Sequence, residues 1–349
     1  MMVLSPACFN GCGTILLTFQ LFNRECKLIE QIHITNHRCF ENLNVPLKPF
    51  TVLVGPNNTG KSSFLRALAG LEQFVGKTGQ ESEFFRFDRE KESSINLTFR
   101  GHDFSLNRPL PHRSGKLEEE LLETLPIRYF DIPKLALPMR SKGINSRLPI
   151  SEIIPDNGTN VSALLDYMLR KERKAFFSLV DSLKVMIPGL EDIDIETPSA
   201  ELRQVNLVLD DGFRMPASLA SMGVRLMIFF TCLAYHPDPP KTILIEEPET
   251  GVHPKRLAAI VDLLRGISNG DTGFSPAQVI VSTHSPYLLD CINLDTDQVL
   301  VFQRESDGSR VANPMNANRL KKYMDEYMLG EFWFNGGEEM LLGRENEGI

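Results

Sequence analysis

The residues Gly55-Pro56-Asn57-Asn58-Thr59-Gly60-Lys61-Ser62 follow the pattern G-x-x-x-x-G-K-[ST], and residue types in this order can hold phosphate. Gly55 and Gly60 let the backbone approach phosphate oxygens closely, while the loop N–H groups and the following helix N-terminus face the anion. Lys61 can reach the β- and γ-phosphates, Ser62 can ligate Mg²⁺, and Ser63 carries the cradle into the helix. A second reactive group, Glu246-Glu247-Pro248-Glu249, closes the apolar run 242–245. A carboxylate at the end of a buried strand beside the loop can hold Mg²⁺ or its water, the role read for Glu246. Its neighbour Glu247 can polarise an attacking water as general base. Glu246 is longer than the aspartate common in that role and can act through a bridging water. His284, in Ser282-Thr283-His284-Ser285-Pro286 at the end of another apolar run, would face the same crevice and reach a γ-phosphate oxygen or the water. The plainer readings are an acidic loop opening a helix, whose dipole favours carboxylates, and a histidine capping a strand.

These side chains need strands and helices to aim them. Residues 51–54 form a short β-branched run suited to a buried parallel strand, and Phe64, Leu65, Leu68 and Leu71 recur at helical spacing just after the loop. Upstream, imperfect alternation over 27–49 predicts one strand around Ile32 and Ile34 and a second at 43–47. With 51–54 they make a β-meander whose first turn is His37-Arg38-Cys39-Phe40. Between 81 and 150 the pattern gives one strand, 95–99, and then loops rich in proline and basic residues. A helical hairpin or a broken helix is expected over 161–188, strands at 193–195, 205–209 and near Phe213, and an apolar helix over 224–235 that stops before Pro237. Strand 242–245, helix 255–267 and strand 278–282 form a parallel crossover unit. A hairpin (298–303 and 310–313) and a helix over 320–328 complete the chain.

Composition narrows the class. With 349 residues, 42% hydrophobic, the chain can bury a large core in one or two domains. A net charge of -8 and a pI near 5.5 argue against a protein coated in basic surface, leaving a nucleic-acid partner open through a local groove only. The cysteines at 8, 12, 26, 39, 232 and 291 form no regular framework, and His33 and His37 lie too far from Cys12 for a zinc finger, so free thiols in a reducing cytoplasm are expected. Residues 1–26 lack a basic n-region and a small-residue cleavage site, and read as an extra strand or an upstream extension. No run approaches the roughly 18 apolar residues of a membrane span.

Taken together, Arg38-Cys-Phe40, GPNNTGKSSFLRAL, Leu219-Ala-Ser221-Met-Gly223-Val-Arg225, ILIEEPETGVHP and VIVSTHSPYLL resemble the ABC-type ATPase heads of chromosome-maintenance, RecF-like and overcoming-lysogenization-defect (OLD) proteins. The likeness is closest to OLD-like AAA ATPases of anti-phage defence and spans about residues 27 to 290, most of the chain. It implies an α/β P-loop NTPase of ABC-ATPase head type, a mixed sheet with an N-terminal β-meander and an inserted helical/β lobe. The expected divisions are an extension at 1–26, a core at 27–80 and 200–315, an inserted lobe at 81–199 and a helical tail at 316–349. The resemblance makes Ser221 and Gly223 the signature element that caps the γ-phosphate bound to the opposite subunit. It thus implies a homodimer closed by two ATP molecules, with higher oligomers open. Ala220-Ser221-Met222-Gly223 lacks the double glycine of transporters. No conventional Q-loop glutamine is evident, although Gln80 lies in a polar turn. Arg38 reads either as a nucleotide contact or as a surface arginine. Long heptad arms are missing between loop and signature, and about 60 residues after His284 are too few for a TOPRIM nuclease domain. These features point to an ATPase module whose effector, a nuclease or toxin, is a separate polypeptide. The alternative is a RecF-like ATP-gated DNA-binding repair protein.

Overall fold

The computed structural model describes residues 28–73, 93–99, 102–108, 127–143, 158–273, 275–306, 310–324 and 326–344. The extension at 1–26 and Gln80 lie outside them. Strands β1 (Gln31–His37) and β2 (Phe40–Pro46) form an antiparallel hairpin in which Ile32 faces Val45 and Ile34 faces Leu43. The third strand of the expected meander, β3 (Phe50–Val54), does not continue this hairpin and joins a different sheet. The reason lies in the pattern. β1 and β2 alternate, which suits a sheet buried on one face, whereas every residue of β3 is buried, which suits a strand covered on both.

After α1 (Lys61–Gln73), β4 (Ser93–Phe99) pairs with β1, and β5 (His102–Arg108) pairs with β4, completing a four-stranded sheet in the order β2-β1-β4-β5. β5 falls where loops were expected. So does β6 (Ile127–Asp131), which is an edge strand of the central sheet, parallel to the strand 242–246 and placing Asp131 opposite Glu246. Within 81–199, β4 and β5 thus extend the first sheet and β6 lies in the central sheet. A further group of elements comprises β7 (Arg140–Lys142), the helical hairpin α2 (Val161–Lys171) and α3 (Arg173–Met186), β8 (Leu190–Ser199), β9 (Leu202–Leu209) and β10 (Arg214–Pro216). β9 is its centre, flanked by β8 on one edge and by β7 and β10 on the other.

The chain returns to the core through α4 (Met222–Ala234), β11 (Thr242–Glu246), α5 (Pro254–Asn269), β12 (Gln278–Thr283), α6 (Pro286–Leu289) and the hairpin of β13 (Gln298–Arg304) and β14 (Arg310–Pro314). The central sheet runs β14-β13-β3-β12-β11-β6, parallel throughout except for β14. Alternate residues serve two cores. Val52, Ile243, Ile245, Val279, Val281 and Val301 face α4, α5 and α6, whereas Leu53, Leu244, Ile280 and Leu300 face α1 and the β1–β2 hairpin. Gln278 joins the two sheets: its buried amide accepts from Ile29 N at 3.0 Å and donates to Ile29 O at 2.9 Å, as a strand partner would.

The tail differs from expectation. Among the described residues of the predicted helix, Leu320 ends α7 (Ala317–Leu320) and Lys321–Tyr323 form a 3₁₀ turn, and the aromatic segment beyond is helical, as α8 (Leu329–Leu342) with a break at Gly337. Packing overrides the glycines there: Gly330 sits so close to α6 that an added Cβ would lie 2.3 Å from Pro286 O. Among the described residues no helix is long and apolar enough to cross a membrane.

Candidate active site

The glycine-rich loop leaves the C-terminal end of β3 and enters α1, and its shape is fixed from three sides. At Gly55 an added Cβ would stand 2.4 Å from Phe302 O of β13. Gly60, at φ +106, has the Phe40 ring and the Cys39 thiol 2.9 and 3.0 Å from where its Cβ would be, so the β1–β2 turn that carries Arg38 rests on the loop. Asn58, in the left-handed region at φ 65, offers its carbonyl to Arg310 Nε of β14 at 2.9 Å. Thr59 Oγ1 closes the turn on Pro56 O at 2.9 Å, while Pro56, Asn57 and Asn58 are exposed along its rim. Lys61 is buried, its ammonium donating to Gly55 O at 2.6 Å and Pro56 O at 2.9 Å. Burial lowers its pKa, opposed by the charges of Glu247, Glu246 and Glu249. Ser63, one residue after Ser62 on α1, hydrogen-bonds Cys39.

Glu246 ends β11, between β12, where its partner is Ser282, and β6, where its partner is Asp131. Its side chain points to the α1 face. There the Ser62 hydroxyl donates to Oε1 and the Tyr129 hydroxyl to Oε2, and Arg66 Nη2 lies 3.9 Å from both Glu246 Oε2 and Asp131 Oδ2. Burial raises the Tyr129 phenol, and its hydrogen bond to Glu246 raises it further. Glu247 follows in the left-handed region at φ 52, held by its N–H to Ser282 O at 2.9 Å. Its carboxylate accepts from Thr250 Oγ1 at 3.4 Å and stands 3.5 Å from His284 Nδ1. Glu249 ties the two acidic and histidine loops together, accepting from Thr283 Oγ1 at 2.6 Å and His284 N at 3.4 Å. Its pKa is raised by burial, with the Thr283 hydrogen bond opposing. His284 is half exposed, and its carbonyl accepts from Trp333 Nε1 of α8 at 3.1 Å.

The structure thus gathers Lys61, Ser62, Glu246, Glu247 and His284 at the C-terminal edge of β3, β11 and β12, where parallel sheets present ligands. Ser62 and Glu246 offer hard oxygen donors of the kind Mg²⁺ takes, and the cradle at Gly55 and Gly60 is kept free of side chains, so these residues fit a magnesium nucleotide. Ser221 and Gly223 lie elsewhere. The Ser221 hydroxyl is exposed and caps α4 by accepting from Val224 N at 3.4 Å, and an added Cβ at Gly223 would stand 3.0 Å from Gly251 O. Arg38 sits in the β1–β2 turn at φ 52. Sequence reasoning missed Tyr129, Arg66, Asp131, Arg310 and Trp333 as neighbours of the site. The available signal was Ile127–Asp131, a short segment with Tyr129 and Phe130 that ends in a carboxylate as 242–246 does.

The family described as "AAA domain, putative AbiEii toxin, Type IV TA system" matches residues 50–290, from β3 to the end of α6. The OLD nuclease of Thermus scotoductus is 24% identical over 362 residues, covering 84% of this chain and 67% of that protein. Among solved structures, an Smc head bound to the C-winged helix domain of ScpA has a TM-score of 0.58 at 13% identity, over 84% of this chain and 99% of that one. An Smc head with an extended coiled coil, bound to the C-terminal domain of ScpA derived from Pyrococcus furiosus, gives 0.55 at 12% identity, over 86% and 99%. An Smc head with a coiled coil and joint from Pyrococcus yayanosii gives 0.55 at 10%, over 86% and 99%. At these identities the structural likeness shows a shared fold, the ABC-type ATPase head.

Proposed function

The chain belongs to this AAA domain family and is an ABC-type ATPase related to OLD nuclease and Smc heads, and from that premise we propose that it is an ATP-hydrolysing dimeric switch controlling a separate effector in anti-phage defence. The observation that carries the hydrolytic part is the meeting of Glu247 and His284, 3.5 Å apart, beside the loop that holds Lys61 and Ser62. Lys61 exchanges its contacts with Gly55 O and Pro56 O for phosphate oxygens, and the loop N–H groups and the α1 N-terminus take the remaining charge. Bound by Ser62 and Glu246, Mg²⁺ would neutralise charge on the phosphate oxygens. Glu247 accepts a proton from the attacking water, and His284, 3.5 Å from that carboxylate, faces the γ-phosphate oxygen or the water.

The dimer is supported by the exposure of Ser221 at the start of α4, capping its own helix and free to face a second copy. Control of a partner is supported by the relatives: one is named a nuclease, and Smc heads are seen bound to ScpA domains. A nuclease or toxin is the effector class that this company favours.

ATPase assays and light scattering of wild type and Glu247→Gln test the reading. Wild type should turn over ATP with Mg²⁺, and Glu247→Gln should lose roughly 100-fold or more while forming a stable ATP-bound dimer. A wild type without turnover, or a variant that stays monomeric with ATP, would overturn it. Salt-dependent binding to duplex DNA would instead favour the RecF-like alternative.

A further inference from the structure

Strand β6 brings to the site a side chain that none of the motifs contains. In register, Tyr129 lies beside Leu244 and Asp131 beside Glu246, so Tyr129, Asp131 and Glu246 all share the α1 face of the sheet. The Tyr129 hydroxyl donates to Glu246 Oε2 while Ser62 donates to Oε1. Both oxygens of one carboxylate are therefore held by hydroxyls, from two different elements. Arg66, one turn beyond Ser62 on α1, hydrogen-bonds Tyr129 and approaches Glu246 Oε2 to 3.9 Å. A glutamate has one more rotatable bond than an aspartate, and left alone its carboxylate would sample several positions in front of Ser62.

We infer that Tyr129 is a positioning residue: its hydroxyl fixes the long Glu246 side chain so that Oε1 and Ser62 Oγ present one oxygen pair to the Mg²⁺ of a bound nucleotide. This rests on reading Ser62 and Glu246 as the metal-holding pair. The hydroxyl does for glutamate what the shorter side chain does for aspartate by length alone. The phenol cannot substitute for the carboxylate as a ligand, because it is neutral and already committed to Oε2.

The test is binding of a fluorescent ATP analogue, first in EDTA and then along a Mg²⁺ titration, for wild type, Tyr129→Phe, Glu246→Asp and the double variant. Phenylalanine keeps the ring volume, and thermal melting checks that the fold is kept. Tyr129→Phe should raise the Mg²⁺ concentration at half-effect about tenfold, the usual size for one hydrogen bond to a charged group, with little change in EDTA. In the Glu246→Asp background the same change should have no further effect, since the carboxylate then sits about 1.5 Å short of the phenol. An unchanged Mg²⁺ half-point in Tyr129→Phe, or an equal shift in both backgrounds, overturns the inference. If wild type binds nucleotide without any response to Mg²⁺, the reading of Ser62 and Glu246 has failed and the inference falls with it.

Discussion

The indole N–H of Trp333 donates to the backbone carbonyl of His284 at 3.1 Å, so the C-terminal helix grips the loop that carries the imidazole. The grip is reinforced next door, where Asp290 Oδ1 accepts from Gly330 N at 2.6 Å. α8 therefore reports on, and can act upon, the imidazole that faces Glu247.

Trp333→Phe keeps an aromatic ring but removes this bond. Steady-state kinetics should show kcat reduced about 3- to 10-fold with KM for ATP nearly unchanged, since the phosphate loop is untouched. A change confined to KM would show that Trp333 acts on binding and not through His284.

Lys61→Ala should abolish turnover and ATP-dependent pairing together, as the buried ammonium is replaced by nothing that can meet phosphate. Mixed with Ser221→Ala chains it should regain activity, up to about a quarter of wild type, because half of the pairs would be mixed and each would hold one intact composite site. A nucleotide-dependent dimer of Lys61→Ala alone, or a mixture as inactive as its parts, would argue that each site is complete within one chain.

His236 supplies a pH dependence of stability remote from the site. Burial lowers its pKa to about 4, opposed by Asp238, whose N–H its Nδ1 accepts at 3.1 Å. Because the folded pKa lies below the ordinary 6.5, the unfolded chain takes up a proton first as pH falls. The contribution is then complete above pH 6.5 and is lost between 6.5 and 4, by about 3 kcal/mol. Urea unfolding at pH 7.5 and 5 should show the decline, and His236→Gln should flatten it. An equal slope in the variant would assign the effect to other groups.

The nucleotide loop, Glu246, Glu247 and His284 stand out in the sequence because each follows a continuous β-branched run, and strands buried on both faces leave that pattern whatever their neighbours. The pattern does not say which strands pair. β3 looked like the third strand of a meander and belongs to another sheet, since alternation specifies a face but not a partner. Tyr129 was hidden for a different reason: Ile127–Asp131 is short, carries Arg128 and Asp131, and sits among prolines and basic residues. The helix of Trp333 was masked by Gly330, Gly336 and Gly337: at Gly330 close packing against Pro286 O outweighs the poor intrinsic propensity, whereas at Gly337 the helix does break. Local preference failed where long-range contacts decide.

Glu247 holds a backbone conformation that suits glycine, and for a residue with a side chain this costs about 1 to 2 kcal/mol. The position is thus poised between two kinds of fitness. A glycine there would relax the turn and strengthen the fold while erasing the carboxylate that faces His284, so selection for robustness alone would erode the chemistry at this residue.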